Sequence, residues 1–209
     1  MPVLFRPSER KAHVLTYAEI PHYQQRRAKQ LANELIGQVN IRLIGDDDDA
    51  FHKELRNYVR MGGAELRRDF WYGAWDGKTM VGMIHSGPPY ESLDVARAGL
   101  RGDPRAGSGQ WFLQYVSECE VINEIAVRPN YQRQGIAMIL IQAVIDESRR
   151  RGVINLSSAA TTAGAASLFS ACGWDVQPAG EPLDPSRANN LKTVTHPTMR
   201  HIRWASLKL

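Results

Sequence analysis

The chain has 209 residues, of which 43% are hydrophobic, and this length and composition fit a single compact domain with a sizeable core. Its two cysteines, Cys119 and Cys172, form no C-x-x-C pair, which argues against a disulfide framework and a metal knuckle. The N-terminus carries charges where a signal peptide needs an apolar stretch, and no run reaches membrane-spanning length. The sequence therefore predicts a cytoplasmic protein that does not span a membrane. A net charge of +4 favours anionic partners without identifying one.

The N-terminal part is predicted to contain a short strand and then helices. Residues 11–17 have the composition of a strand, and residues 20–37 place Leu31 and Leu35 on one side of a helix. The four consecutive aspartates at 46–49 suggest a metal site at first sight, but they stand directly before an apolar helical pattern. Capping and the helix dipole explain them more simply. The six histidines show no zinc-ligand spacing, so no metal is predicted.

A β-hairpin is predicted next, from residues 69–75 and 78–86, because two strand-like runs are separated by Asp76-Gly77. Residues 87–118 then form a long connection with several glycines and prolines. Connections of this length are uncommon in compact domains and are often functional. Two interpretations stand: a loop that selects the substrate, or a surface excursion whose aromatic residues cover part of the core.

The most informative stretch runs from residue 120 to residue 152. Residues 121–127 have the Val and Ile content of a buried strand, and Gly135 opens a helix that Gly152 ends. The apolar residues at helical spacing form a wide face: Ile136, Met138, Ile139, Leu140, Ile141, Ala143, Val144 and Ile145. A helix N-terminus carries unpaired N–H groups and a partial positive charge, and a glycine there lets an anion approach closely. The sequence thus predicts a phosphate site.

The C-terminal part is predicted to add a strand at 153–157, a small-residue helix at 161–172 and a last strand at 199–204. No acidic residue follows Asp184, so the C-terminal flank is basic. A solvated edge strand accounts for such a flank. Nucleic-acid contact rests on this charge alone, since the chain contains neither an RNP pattern nor a recognisable helix-turn-helix.

The turn before the central helix reads Gln132-Arg133-Gln134-Gly135-Ile136-Ala137, a Q-x-x-G-x-A pattern between a strand and an amphipathic helix. In this context the chain resembles the GNAT family of acyl-CoA-dependent N-acyltransferases, whose signature is [RQ]-x-x-G-x-[GA]. The hairpin that precedes the strand also looks like the second and third strands of the GNAT sheet. The resemblance covers residues 69–174.

A second family pattern, N-x-x-A-x-x-L-Y-x-x-x-G-F, is matched in register by Ala165, Leu168 and Gly173. Two positions depart from it. Thr162 stands where the family often has asparagine, and Phe169 stands where it often has the tyrosine that protonates the departing thiolate.

The resemblance implies an α/β fold: a single GNAT-like domain over residues 1–209, with a mixed central β-sheet flanked by helices. Its core would comprise about residues 69–174 and 199–205, with N-terminal helices at 20–62 and the insertion at 87–118. It also implies acetyl-CoA as cosubstrate and an amine acceptor, which is a small molecule, a peptide or a protein. The implied CoA-binding residues are Ile125, Ala126 and Val127 along the pantetheine arm, Gln132, Arg133, Gln134, Gly135, Ile136 and Ala137 around the pyrophosphate, and Thr162 and Phe169.

Acyl transfer to an amine needs a group that accepts the proton of the ammonium. Glu124 is the only ionisable side chain inside residues 121–127 and is the candidate general base, with a structural ion pair as the alternative. His85, at the end of the hairpin, is a second candidate base, although a lone histidine is more often structural. Because a thiolate is a good leaving group, a water or Ser157 would replace the tyrosine missing at Phe169.

Two functions from different classes remain open. The first is an N-acetyltransferase that moves an acetyl group from acetyl-CoA to a primary amine by direct attack, with Glu124 as general base. The second is a GNAT-fold module that keeps the fold or the CoA pocket but acts as a binding or structural component. The second function is supported by the two departures from the family pattern, at Thr162 and Phe169, and by the insertion. Turnover of acetyl-CoA with any amine would distinguish the two functions.

Overall fold

The computed structural model describes residues 14–36, 69–89, 116–181 and 202–209. Their elements are β1 (Leu15–Glu19), α1 (His22–Ile36), β2 (Phe70–Asp76), β3 (Thr79–Gly87), β4 (Cys119–Val127), a 3-10 turn (Pro129–Tyr131), α2 (Ile136–Arg150), β5 (Asn155–Ala160), α3 (Ala163–Ala171), β6 (Asp175–Val176) and β7 (Arg203–Lys208). The strands form one sheet in the order β1-β2-β3-β4-β5-β7-β6. Within it, β4 and β5 run parallel and the other neighbours run antiparallel. The predicted α/β fold with a mixed sheet and flanking helices is confirmed.

Some predicted features lie outside the described residues. They are the aspartates at 46–49, the helical segment that follows them and most of the connection at 87–118. Among the helices that are described, none is long and apolar enough to cross a membrane.

The predicted hairpin is formed by β2 and β3, with Asp76 opposite Thr79. The two residues of its turn are Gly77 and Lys78, one position later than the predicted Asp76-Gly77 pair. Gly77 has a φ of 57°, the left-handed conformation that tight hairpin turns require and that glycine adopts without strain.

Helix α2 covers one face of the sheet. Its buried apolar residues are Ile136, Leu140, Ile141, Val144 and Ile145. Gly82 of β3 allows this close approach, because a Cβ there would lie 3.1 Å from the Ile136 side chain. The predicted face was too wide: Met138 and Ile139 are 46% and 44% exposed. The helical period turns both side chains away from the direction of residues 136, 140 and 144.

Helix α1 lies against a second core cluster. Its buried residues Ala28, Leu31 and Ala32 pack with Trp71 of β2 and Ala126 of β4. The helix falls within the predicted range of 20–37. The apolar residues of β2, β3 and β4 are thus divided between the cluster under α2 and the cluster under α1.

The strands after α2 differ from their predicted positions. The predicted strand at 153–157 begins two residues later and ends at Ala160, and the predicted last strand at 199–204 is Arg203–Lys208. The small residues at 157–160 have weak strand propensity, so pairing with neighbouring strands decides their conformation. Strand β7 lies between β5 and β6, so its basic residues do not belong to a simple edge strand.

A buried carboxylate joins α2 to the sheet. Glu120 of β4 is 1% exposed, and it accepts hydrogen bonds from Ser86 Oγ at 2.6 Å and Ser148 Oγ at 3.1 Å. Both serines are fully buried, one in β3 and one in the last turns of α2. A buried carboxylate is tolerated when donors such as these satisfy its oxygens.

Ser148→Ala is expected to destabilise the protein by about 1–3 kcal/mol, because it removes a donor from a buried carboxylate oxygen. The free energy of unfolding from urea denaturation measures the effect. Ser167→Ala, at an exposed position on α3, is the matched control and should leave the midpoint almost unchanged. Equal midpoints for the two variants would contradict the proposed importance of this network.

Candidate functional site

The sheet opens between its two parallel strands. Strand β4 pairs with β5 from Cys119 to Ile122, and the last pair is Ile122 with Ser158. Ser158 Oγ donates to the carbonyl of Ile122 at 3.0 Å, at the point where the strands part. β4 continues to Val127 without a further partner in β5. Its backbone from residue 123 onward therefore borders a gap that an extended ligand can enter.

The signature turn lies at the end of β4, beside this gap. Gly135, the residue before α2, has φ 80° and ψ −4°, and Arg133 also has a positive φ, 61°. A Cβ on Gly135 would meet no atom within 4 Å, so the space in front of it is open. Among the described residues, no acceptor lies on the backbone N–H groups of Ile136, Ala137 and Met138. N–H groups without an acceptor and the positive end of the helix dipole are what an anion site requires.

Side chains of the turn bind its own backbone and leave the front of the turn free. Gln132 Nε2 donates to the carbonyl of Val127 at 2.9 Å, and Gln134 Nε2 donates to the carbonyl of Asn130 at 3.1 Å. Both glutamines are exposed, so they act as local braces. These two hydrogen bonds hold the conformation of the turn.

Tyr131 attaches the turn to the hairpin. Its hydroxyl donates to Asp76 Oδ2 at 2.7 Å, and Arg128 Nε donates to the carbonyl of Met80 at 3.0 Å. The hydrogen bond to Asp76 raises the pKa of Tyr131, with desolvation as the second cause. A raised phenol pKa means that the folded state keeps this proton at alkaline pH values at which the unfolded chain has already lost it. The hydrogen bond to Asp76 is therefore present at neutral pH. It is lost only when the pH rises above the pKa that Tyr131 has in the folded state.

Tyr131→Phe is expected to weaken acetyl-CoA binding while the fold is retained, because the turn loses its attachment to the hairpin but keeps the two glutamine braces. The dissociation constant, measured by calorimetry for both proteins at neutral pH, is the readout. Tyr23→Phe is the matched control, since Tyr23 is 79% exposed on α1, away from the turn. Equal dissociation constants for the Tyr131 variant and the wild type would show that the attachment is unnecessary.

Glu124 and His85 lie together on the sheet face that α1 covers. His85 Nδ1 is 4.0 Å from Glu124 Oε2, and the side chains are 14% and 26% exposed. The His85 ring stacks on Trp71 with centroids 3.8 Å apart and an interplanar angle of 11°. Within the described chain, Glu124 Oε2 has no hydrogen-bond partner. This oxygen is buried and unpaired within the described chain, so it can accept a proton from a group that enters beside it.

A β-bulge turns Glu124 toward this face. His85 pairs with Glu124 and Ser86 pairs with Ile122, so Asn123 is an extra residue in β4. Ile122 is buried under α2, and simple alternation would place Glu124 on the same side. The extra residue instead places Glu124 beside His85.

The other predicted site residues have different surroundings. Ser157 is 6% exposed and pairs with Val121, before the strands part. Thr162 is the N-cap of α3, and its hydroxyl accepts from the N–H of Ala165 at 3.1 Å. Phe169 is 1% exposed and packs against Trp174 in the core, with ring centroids 4.8 Å apart. The described structure gives Thr162 and Phe169 clear structural roles.

Sequence reasoning missed Asp69 and Trp71, which surround His85. Asp69 Oδ2 lies 3.2 Å from His85 Nε2, and Asp69 is 51% exposed. Asp69 directly precedes β2, and Trp71 lies two residues later. In an extended chain this spacing places side chains on one face, which was the available indication. The described part of the chain contains no cluster of three or more acidic, histidine or cysteine residues arranged to hold a metal ion.

Comparison with known proteins agrees with these observations. The sequence matches the acetyltransferase (GNAT) family over residues 40–174. No curated protein sequence matches the chain. Among solved structures, the apo form of an agmatine N-acetyltransferase mutant is similar, with a TM-score of 0.53 and 14% identity over 94% of this chain and 100% of that one.

Two further structures are similar. A mosquito arylalkylamine N-acetyltransferase like 5b has a TM-score of 0.53 and 14% identity, and the match covers 94% of this chain and 100% of that one. A Bacillus subtilis acetyltransferase in complex with CoA has a TM-score of 0.51 and 15% identity, and the match covers 94% of this chain and 99% of that one. At such low identities these similarities show a shared fold.

Proposed function

The chain belongs to the acetyltransferase (GNAT) family, and from this premise we propose that it transfers an acetyl group from acetyl-CoA to a primary amine by direct attack. The observation that carries the proposal is the combination of two features at one end of β4. One is the gap between β4 and β5, and the other is the glycine turn at the N-terminus of α2. Together they offer an extended channel that ends at an anion site, which matches the shape and charge of CoA.

In the proposed complex, the pyrophosphate lies against the backbone of residues 132–137. The open N–H groups at the start of α2 and the helix dipole stabilise its negative charge. Arg133 is exposed within the turn and adds a positive charge beside it. The pantetheine arm follows residues 125–127, whose backbone borders the gap. Thr162 and Phe169 are left out of this proposed CoA site, because their contacts serve α3 and the core.

The proposed reaction begins when Glu124 accepts a proton from the acceptor's ammonium. The free amine attacks the thioester carbon, and the carbon–sulfur bond breaks as the carbonyl re-forms. The nitrogen then gives up its second proton, which reaches the departing thiolate through a water or Ser157. A positioned general base contributes about 10²–10⁴ in rate to such a step. Glu124 is favoured for this task because it lies on the open part of β4, past the last pair with β5.

The test is acetyl-CoA turnover with a panel of primary amines, followed by release of free thiol. The panel contains agmatine, tryptamine, spermidine, a peptide with a free N-terminus and a lysine-containing peptide. A reaction without amine measures background hydrolysis. Amine-dependent thiol release above this background supports the proposal. Binding of acetyl-CoA without turnover of any amine would instead favour a binding module, and absence of CoA binding would reject the site itself.

A further inference from the structure

Each transfer to an ammonium must release one proton to solvent. The nitrogen loses two protons as it becomes a secondary amide, and the CoA thiolate takes up only one. In the proposed function the other proton resides first on Glu124, whose side chain is 26% exposed. Efficient turnover therefore benefits from a route that returns Glu124 to its carboxylate form.

The surroundings of Glu124 contain such a route. His85 Nδ1 is 4.0 Å from Glu124 Oε2, a gap that one bridging water or a small carboxylate rotation closes. On the other side of the ring, His85 Nε2 is 3.2 Å from Asp69 Oδ2, within ion-pair range although off the line that a hydrogen bond needs. The His85 side chain is 14% exposed, and the Asp69 side chain is 51% exposed. The three side chains thus lead from the partly enclosed base to solvent.

The scaffold around His85 holds this arrangement. Trp71 stacks on the imidazole at 3.8 Å and restricts its ring plane, so the two ring nitrogens face Glu124 and Asp69. Gly87 leaves the space that Asp69 occupies, because a Cβ there would collide with Asp69 Oδ1. On the α1 side, Trp71 belongs to a cluster of buried apolar residues.

We propose that Asp69 is a positioning residue that orients His85, and that the pair carries the proton from Glu124 to solvent. This proposal rests on the proposed function. Glu124 passes its proton to His85 Nδ1, and the imidazolium is stabilised by the Asp69 carboxylate. The imidazolium then passes the proton on its buried Nε2 to the half-exposed Asp69 carboxylate, which releases it to water. Proton exchange through the bridging water at Nδ1 restores the tautomer whose Nδ1 is free. Glu124 is again a carboxylate, and the proton has left the site.

The test compares the wild type with Asp69→Asn and His85→Gln, using acetyl-CoA and the amine of the panel that the wild type turns over fastest. In weak buffer, kcat of both variants is expected to be about 10- to 100-fold lower than that of the wild type. Loss of a partner that orients a functional histidine typically has an effect of this size. Added imidazole is expected to restore much of kcat in both variants, because a small proton carrier replaces the missing route. Glu34→Gln, at an exposed position on α1, is the control and should behave as the wild type with and without imidazole.

Two results would overturn the relay. One is an Asp69→Asn variant with wild-type kcat, and the other is a loss of kcat that imidazole does not restore, which indicates a structural effect. The half-exposed position of Asp69 makes this variant informative even where His85→Gln fails to fold. Failure of the proposed function looks different: the wild type itself then transfers no acetyl group, and the relay falls with it.

Discussion

Glu124→Gln is expected to lower kcat/KM by about two to four orders of magnitude, because the amide cannot accept the ammonium proton. Primary amines are protonated at neutral pH, with pKa values near about 10 for a lysine-like group. The difference in kcat/KM between the variant and the wild type should therefore become smaller as the pH rises, because the acceptor amine then deprotonates without a general base. A pH–rate profile of both proteins with the same amine measures this. The proposed CoA contacts are made by backbone groups, so acetyl-CoA binding should be unchanged.

The control for this experiment is the dissociation constant of acetyl-CoA, together with Glu34→Gln as a carboxylate-to-amide change at an exposed position on α1. A deficit that stays constant with pH, or no deficit at all, would reject Glu124 as the general base. A smaller deficit in Glu124→Gln than in His85→Gln would make His85 the primary base. Either outcome would leave the CoA half of the site intact.

Gly135→Asp is expected to abolish the stabilisation that acetyl-CoA gives the fold, about 2.7 kcal/mol at a hundredfold excess over its dissociation constant. Gly135 has φ 80°, and nothing occupies the space in front of its α-carbon. The aspartate would bring a side chain and a negative charge into the proposed pyrophosphate position, where it would also compete for the open N–H groups of α2. The shift in melting temperature on adding acetyl-CoA measures the effect.

Gly152→Asp is the matched control, because Gly152 follows the other end of the same helix with φ 75° and an equally open space. Both substitutions force an aspartate into the left-handed region and should lower the ligand-free stability. The loss should be larger for Gly152→Asp, because its negative charge lies at the negative end of the helix dipole. Only Gly135→Asp should lose the response to acetyl-CoA. If Gly135→Asp keeps the full response, the turn does not hold the pyrophosphate.

The sequence allowed the central part of the fold to be predicted because local interactions decide it. Strand β4, the turn and helix α2 depend on a Val/Ile run, a proline stop and a glycine at a left-handed position, and all of these act over a few neighbouring residues. The strands β5 and β7 were misplaced by several residues, since pairing with other strands sets their limits.

The candidate site also has features that local sequence predicts and features that depend on strand pairing. The glycine turn and the identity of Glu124 follow from the sequence, because the turn is a local structure and Glu124 is the ionisable residue of its strand. The direction of Glu124 does not follow. It depends on the bulge at Asn123, which forms only when β4 pairs with β3, and which moves the carboxylate from the α2 side to the face of Trp71 and His85.

The gap in the sheet and the surroundings of His85 were decided by tertiary structure alone. Strands β4 and β5 separate after Ile122, and this separation depends on two strands that are not adjacent in the sequence. Asp69, Trp71 and His85 meet because the hairpin register places them together, and Gly87 gives Asp69 its space. The sequence predicts which groups are candidates to bind an anion and to accept a proton. Strand pairing determined whether they face one another, because side-chain direction in a sheet changes with every shift of one residue.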